Sequence, residues 1–467
     1  MTAERPKLAW ADLRGARVGI WGFGREGSAN LRKLRSMGVE PILVDDAPAV
    51  GDEQVLATGD GGLGALLRCD VVVKTPGISR YRPEAERLRA AGVVLAGGLG
   101  LWLQEADRDR VVLVTGTKGK STTSSVLGHL LTGLGRRAMV GGNIGALPYD
   151  PYDPDEAAGS AGSGGDDPTA PPRTEFDFWV IEVSSYQATD LASSPPVTAV
   201  TSLHPDHLPW HGDVERYYRD KLSACSQPGA ELTVANGDSD LIRERAALLA
   251  PRVAWVSESD EPGATWMDEL GLPGRHNRRN ALIARRCLLA LGVPGADDAA
   301  ALRAAASGYV GLPSRLTTIG VVDGVSFVDD SLSTNVLPTL AALDAFPGRR
   351  IALIVGGQDR GIDYAPLAAG VLARQAPTLV LTLPDSGPRI SAAFSSLAPA
   401  ARPAPPTHPA DVRDCPDLDA AVAAGFAWAR PDGIVLLSPA APSFGHFRDY
   451  RDRAEAFARA MRTRAPA

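Results

Sequence analysis

Cysteine is scarce in this chain of 467 residues. Cys69, Cys225, Cys287 and Cys415 are the whole complement and no two lie at CxxC spacing. Neither a zinc site nor a disulfide framework is indicated, and a reducing compartment is expected. Cationic excess is missing too: 48 Lys and Arg face 55 Asp and Glu, a net charge of −7. That balance gives no footprint for nucleic acid or an anionic membrane surface. No uninterrupted apolar run approaches membrane-spanning length, and MTAERPKLAWADLRGARV holds no apolar leader core. No membrane insertion and a cytoplasmic location are therefore expected. What is present is ordinary: 44% hydrophobic and 22% charged residues, in a length that suits roughly two to four domains.

The most informative stretch is VVLVTGTKGKSTT, residues 111–123. Val111 to Val114 reads as a buried parallel strand and Ser124 to Leu134 as a helix with Val126, Leu127, Leu130, Leu131 and Leu134 on one face. Between them Gly116, Thr117, Lys118 and Gly119 form a turn whose backbone N–H groups can cradle phosphate at a helix N-terminus. Lys120 would reach the outer phosphates, and the Ser121 or Thr122 hydroxyl would hold Mg²⁺. The first glycine of GxxxxGK[ST] is replaced by Val114, so this is a variant loop. The competing reading is a structural turn with a solvated lysine.

Upstream, RVGIWG leads into Gly22-Phe23-Gly24-Arg25-Glu26-Gly27, and a second strand, Pro41 to Val44, ends at Asp45. Strand, GxGxxG, helix, strand and acid in that order suit a Rossmann-like nucleotide unit. Glu26 inside the turn would repel a pyrophosphate unless turned away, which counts against a nicotinamide-dependent oxidoreductase. Cys69 to Val73 is a further strand ending in Lys74-Thr75-Pro76-Gly77-Ile78, and residues 97–106 are expected to lead into a central domain. From about 148 to 173 the composition turns to Asp, Pro, Gly, Ser and Ala, the signature of a flexible surface insertion.

The strand Phe178 to Ile181 delivers Glu182 to its C-terminal end, where an acid beside a phosphate loop would be a metal ligand. His204, His207 and His211 form HxxHxxxH without cysteines or an HExxH helix. This fits no familiar zinc site, so a loop histidine beside Mg²⁺ is the preferred reading over plain packing. Lys221, on the amphipathic stretch 214–222, reads equally as a surface lysine. Asn277 and Asn280 stand one turn apart on a helix running to Leu291, suited either to an adenine edge or to capping. Further strands at 325–328, 350–355, 379–383 and 434–437 alternate with helices and imply another mostly parallel sheet.

Taken together, TGTKGKS, GGNIG, EVSSYQ, PDHL, YRDKL, GRHNRRN, GLPSR, DDSLSTN and SPAAPSFGHFRDY resemble the Mur ligase family in order and approximate spacing over nearly the whole chain. The resemblance is nearest to the branch that adds glutamate to UDP-N-acetylmuramoyl-L-alanine in peptidoglycan synthesis. It implies an α/β fold in three domains: a Rossmann-like uridine-nucleotide domain (1–106), a central P-loop-like ATPase (107–310) and a Rossmann-like C-terminal domain bringing the amino acid (311–467). Gly24, Arg25, Glu26 and Asp45 would then serve UDP rather than NAD, with Asn143, Ser184 and Gln187 on the nucleotide-sugar substrate. Glu182 and His207 would hold Mg²⁺, one of two ions. Lys221 matches a lysine that is carbamylated in the family. Asn277 would hold adenine, and Arg315 and Asp330 would contact ATP.

The implied chemistry is transfer of the γ-phosphoryl group of ATP to the substrate carboxylate, giving an acyl phosphate that the amine of glutamate captures with loss of phosphate. Lys120 and the metal ions would neutralise the developing charge. Lys118 stands where asparagine is usual, Leu332 replaces a lysine, and Arg360 replaces another. These departures resemble the subfamily that adds L-glutamate and relies on a later epimerase, with D-glutamate as the alternative. Acceptor recognition would rest on Thr334, Arg360, Ser443, Phe444 and Tyr450. A monomer is expected. Folylpolyglutamate synthases share the ATPase parts but not the N-terminal unit, and a non-catalytic nucleotide-binding regulator would have no need to keep Lys221.

Overall fold

A computed structural model describes residues 5–49, 53–151, 176–397 and 411–464. Three β-sheets organise it. The first is β3-β2-β1-β4-β5, with β1 (Val18–Trp21), β2 (Ile42–Asp45), β3 (Val55–Ala57), β4 (Val71–Lys74) and β5 (Val94–Gly97), every pair parallel. The second is β11-β10-β9-β6-β8-β7, with β6 (Val111–Thr115), β7 (Ala138–Gly142), β8 (Phe178–Glu182), β9 (Val197–Val200), β10 (Leu232–Asn236) and β11 (Arg252–Val256), again parallel throughout.

The third sheet is β12-β13-β17-β14-β15-β16, with β12 (Thr317–Val322), β13 (Val325–Asp329), β14 (Ile351–Gly357), β15 (Thr378–Asp385), β16 (Asp411–Asp414) and β17 (Ile434–Leu437). Only the β12–β13 hairpin at its edge is antiparallel. The expected α/β architecture with mostly parallel sheets is what the chain adopts. Val111 to Val114 and Ile351 to Val355 are almost wholly buried, as strands covered on both faces must be.

The chain divides into two compact units, Met1–Glu269 with Arg279–Tyr309, and Leu270–Arg278 with Val310–Ala467. The first carries the first two sheets and the second carries the third. Within the first unit one core is shared by both sheets: Trp10, Ile20, Val73, Leu99, Leu113, Ile181 and Val183 belong to a single buried cluster.

Residues 97–106, between β5 and β6, hold the helix Gly98–Glu105, whose Gly98 to Leu103 are buried in that shared core. Gly98 is needed there, because a Cβ would lie 2.4 Å from the Tyr149 hydroxyl and 2.5 Å from Asn30 Oδ1. One expectation from sequence is corrected here: residues 148–150, placed at the start of a surface insertion, are buried. Tyr149 is buried with its ring 5.1 Å from Trp10, and Asp150 is buried in an ion pair with Arg32. Residues 152–173 of the expected insertion lie outside the described residues.

Candidate active site

The phosphate-loop stretch folds as strand, glycine turn and helix. β6 ends at Thr115 and the helix Lys120–Gly133 starts directly after Gly119. This start is one turn earlier than the apolar pattern indicates, and it puts Lys120, Ser121 and Thr122 in the first turn. Gly116 (φ 141°) and Gly119 (φ 88°) lie in the region that favours glycine. A Cβ on Gly116 would sit 2.2 Å from Thr201 Oγ1, and one on Gly119 would sit 2.8 Å from Asn280 Oδ1. Asn280 thus borders the loop itself. Thr117 is fixed by hydrogen bonds to Tyr217 Oη (2.8 Å) and His204 O (3.1 Å), and Lys118 N donates to Ser202 Oγ (2.8 Å).

Two lysines meet at the turn. Lys120 Nζ and Lys221 Nζ each lie 3.0 Å from the Gly116 carbonyl oxygen. Lys221 is only 2% exposed, which removes the surface-lysine reading. Burial holds its ammonium well below the ordinary lysine range, and neighbouring Lys120 pushes the same way.

Glu182, at the end of β8, is 1% exposed. Its two oxygens accept from the neutral donors Ser121 Oγ and Asn143 Nδ2, both at 2.6 Å. A buried carboxylate beside a phosphate loop and held only by neutral donors suits Mg²⁺, which takes one or two protein oxygens and completes its shell with phosphate and water. Ser121 and Glu182 therefore fit that ion. Among the described residues no group of three His, Cys, Asp or Glu side chains is placed to hold a metal.

The three histidines separate. His207 has φ 54° and keeps its half-exposed ring 5.0 Å from that of Tyr186, while burial lowers its imidazole below the ordinary value and Asp206 opposes that shift. His204 is lowered by burial as well. His211 is fully buried, with Nδ1 2.7 Å from Asp220 Oδ2 and Nε2 3.0 Å from Ser185 Oγ.

In the glycine turn of the first sheet, Asp45 accepts from Phe23 N (2.6 Å) and Ala47 N (2.8 Å), so the acid shapes the turn as well as facing it. Gly24 and Arg25 are exposed at the start of the helix Arg25–Ser36. Glu26 points to Gln187 Nε2 (2.7 Å), and burial pushes its carboxyl up to about 7. Ser184 and Gln187 bond one another as a capping box for the helix Ser185–Ala188. Glu26 and Gln187 line a small cleft with Lys74, Gly97, Gly98 and Asp190. The buried Lys74–Asp190 ion pair in it (2.6 Å) is a feature the sequence reading missed.

The second unit holds the remaining candidates. Asn277, in the helix Arg275–Ala290, donates to Pro273 O (2.8 Å). Arg315 lies between Ser314 (φ 58°) and Leu316 (φ 54°), two non-glycine residues in the left-handed region. Asp330 accepts from Ser333 Oγ (2.6 Å), Ser438 Oγ (2.7 Å) and Leu316 N (3.1 Å). Burial pushes its carboxyl up to about 7, against the pull of those hydroxyls.

Arg360 is exposed, bonds Gln358 Oε1 (3.1 Å) and lies 5.9 Å over the Phe444 ring, while Ser443 is buried. Thr334 and Tyr450 are half-buried. Arg453, unremarked in the sequence reading, is fully buried and donates to Ser331 O (2.8 Å) and Ala441 O (3.2 Å). It ties the loop after β13 to the loop after β17, on which Ser443 and Phe444 sit.

An α/β scaffold with a glycine turn, two converging lysines and a buried acid at parallel strand ends is the arrangement of a nucleoside-triphosphate-using enzyme. The Mur ligase middle domain matches residues 114–269, and the Mur ligase, glutamate ligase domain matches residues 314–441. The UDP-N-acetylmuramoyl-L-alanine–L-glutamate ligase of a Micromonospora species is 39% identical over 97% of this chain and 98% of its own. The protein of the same name from Xanthomonas euvesicatoria is 39% identical over 96% and 95%. Among solved structures, UDP-N-acetylmuramate-alanine ligase MurC from Thermotoga maritima has a TM-score of 0.54 at 16% identity, covering 96% of this chain and 99% of its own. MurF ligase from Thermotoga maritima, solved with ADP, has a TM-score of 0.52 at 14% identity, with 97% of each chain covered. The chain belongs to the Mur ligase family.

Proposed function

We propose that this protein is an ATP-dependent ligase that joins glutamate to UDP-N-acetylmuramoyl-L-alanine, and that its acceptor is L-glutamate. The observation that carries the reading is the convergence of Lys120 and buried Lys221 on the Gly116 carbonyl, beside Ser121 and Glu182. In this assignment residues 1–106 take the uridine nucleotide, 107–310 take ATP and 311–467 present glutamate. Each of these three stretches carries one of the three sheets, which supports the division of labour.

The substrate carboxylate attacks the γ-phosphorus of ATP, ADP leaves, and an acyl phosphate results. The amine of glutamate then adds to the acyl carbon, the tetrahedral intermediate expels phosphate, and the amine's proton goes to solvent or base. Lys120 steers the outer phosphates and offsets charge on the transferred group. Mg²⁺, for which Ser121, Glu182, His207 and a carbamate on Lys221 would be the ligands, would supply Lewis-acid neutralisation of the same charge. A buried lysine that is readily neutral is the form able to add CO₂, which is why the depressed value at Lys221 supports that modification.

The acceptor's configuration is argued from Leu332 and Arg360. Loss of a lysine at 332 removes a partner for a dicarboxylate, and the guanidinium of Arg360, stacked on Phe444, offers a different one. The names of the two relatives also point to L-glutamate. Phosphate release with UDP-N-acetylmuramoyl-L-alanine, ATP and either L- or D-glutamate decides the matter: turnover with the L form is expected, and turnover with D-glutamate alone would favour the alternative. An L-configured product calls for a later epimerase. A monomer in the cytoplasm accords with the reading, and among the described residues no helix is long and apolar enough to cross a membrane.

A further inference from the structure

Lys221 is held from behind by residues that the proposed reaction does not use. Its neighbour Asp220 is buried, and its carboxylate is gripped on both oxygens: Tyr81 Oη donates to Oδ1 (2.6 Å) and His211 Nδ1 lies 2.7 Å from Oδ2. A carboxylate only accepts, so His211 donates from Nδ1. Its Nε2 lies 3.0 Å from Ser185 Oγ, three residues beyond Glu182. Tyr81 comes from a different part of the fold, the loop after β4 of the first sheet.

That loop is itself pinned. Ser79 Oγ donates to Trp210 O (3.1 Å), Trp210 Nε1 donates to Pro76 O (3.1 Å), Arg80 donates to Thr189 O, and Lys74 pairs with Asp190. The Tyr81 ring also packs edge-on to Trp210 at 5.8 Å, with Arg216 on its face at 5.0 Å.

We propose that Tyr81, Asp220 and His211 form a brace that sets the rotation of the helix Val214–Leu222, so that the loop following β4 positions Lys221 at the phosphate turn. Successive helical residues are about 100° apart, so fixing Asp220 from two sides fixes the direction in which Lys221 leaves the helix. The helix spans nine residues and its start is capped by Asp213, which accepts from Arg216 N (2.7 Å). Asp220 is the corresponding anchor near its end. These are positioning residues: they reach the reaction only through Lys221. The inference rests on the catalytic role proposed above for that lysine.

A double-mutant cycle tests it on the full-length protein. Tyr81→Phe keeps the ring packing and removes one hydroxyl. It is expected to lower kcat about tenfold while leaving KM for ATP within about twofold. Asp220→Ala is expected to lose more, and Asp220→Asn, whose amide oxygen can accept from Tyr81 and whose NH₂ can donate to His211 Nδ1 once the ring proton moves to Nε2 and is donated to Ser185 Oγ, is expected to recover most of that loss. In a Lys221→Ala background assayed with a short carboxylate as chemical rescue, Tyr81→Phe should change the remaining rate less than about twofold. An equal loss from Tyr81→Phe in both backgrounds would overturn the brace alone, as would a fall in thermal stability with kcat unchanged. Full activity of Lys221→Ala without rescue would overturn the lysine's role and the brace with it.

Discussion

The phosphate turn and the acceptor loops are built in opposite ways. Around Gly116 the buried groups Thr117, Ser121, Glu182 and Lys221 are engaged inside the protein: Ser121 and Asn143 on Glu182, Thr117 on Tyr217, two lysines on one carbonyl. Around β14 and β17 the groups proposed for glutamate are mixed, with Ser443 buried but Arg360 exposed and Phe444 49% exposed. Preorganised donors cost no rearrangement when charge develops, which is the demand of phosphoryl transfer. Exposed side chains are easier to exchange in evolution, which is the demand of acceptor choice. On the proposed assignment, chemistry is fixed in one region and specificity is left adjustable in the other.

Lys221→Ala is the sharpest way to break this contrast. It is expected to cut kcat by about 10³-fold or more, with partial recovery on adding a short carboxylate. If the residual rate stays near that of the wild type, the turn is not as finished as its geometry implies. Arg360→Ala should instead raise KM for glutamate by about 10- to 100-fold with a small change in kcat, as expected for loss of a charge-assisted contact. A kcat effect as large as that of Lys221→Ala would erase the distinction between the regions. Leu332→Lys tests adjustability directly: L-glutamate turnover is expected to fall by about tenfold, and a gain in D-glutamate turnover would place configuration control at that position.

A further prediction concerns Asp330, a buried group of the second unit that is assigned to ATP rather than to the acceptor. Its carboxyl is raised from the ordinary aspartate value to about 7 in the folded protein, so the folded state holds a proton that the unfolded chain gives up at lower pH. Stability is therefore expected to fall as pH rises from about 4 to about 7, by an amount of order a few kcal/mol at most. Asp330→Asn should flatten that slope, which thermal melts at pH 5, 6, 7 and 8 would reveal. Parallel pH profiles for the two proteins would sink this assignment.

Much of the scaffold could be read from apolar runs ending in glycine or acid, because buried parallel strands demand that pattern. β1, β6, β8, β14 and β17 all lie where Val, Ile and Leu cluster. β10 and β11 were not legible, since their apolar stretches, Val234-Ala235 and Val253 to Val256, are short and bounded by polar residues. The helix Gly98–Glu105 was hidden by its two glycines, which lower helix propensity and are tolerated only because the segment is wedged into a shared core.

At the site, strand and glycine-turn spacing singled out Lys120 and Glu182, and the family resemblance singled out His207 and Lys221. Neither gave a sign of Asp220, an ordinary acid on an amphipathic helix until Tyr81, 139 residues earlier, is brought against it. Ser184 and Gln187 illustrate the converse. Their spacing is that of a capping box, and the hydrogen bonds they spend on one another leave Gln187 Nε2 for Glu26.

The single buried cluster that runs from Trp10 and Ile20 to Leu113 and Ile181 has a practical consequence for anyone cutting the gene. A fragment starting at residue 107 would present Leu113, Ile181, Val183 and Ala188 to solvent and lose the Tyr81 hydroxyl from Asp220 in the same stroke. Such a fragment should precipitate, and co-expressing residues 1–106 as a separate chain should restore it to the supernatant.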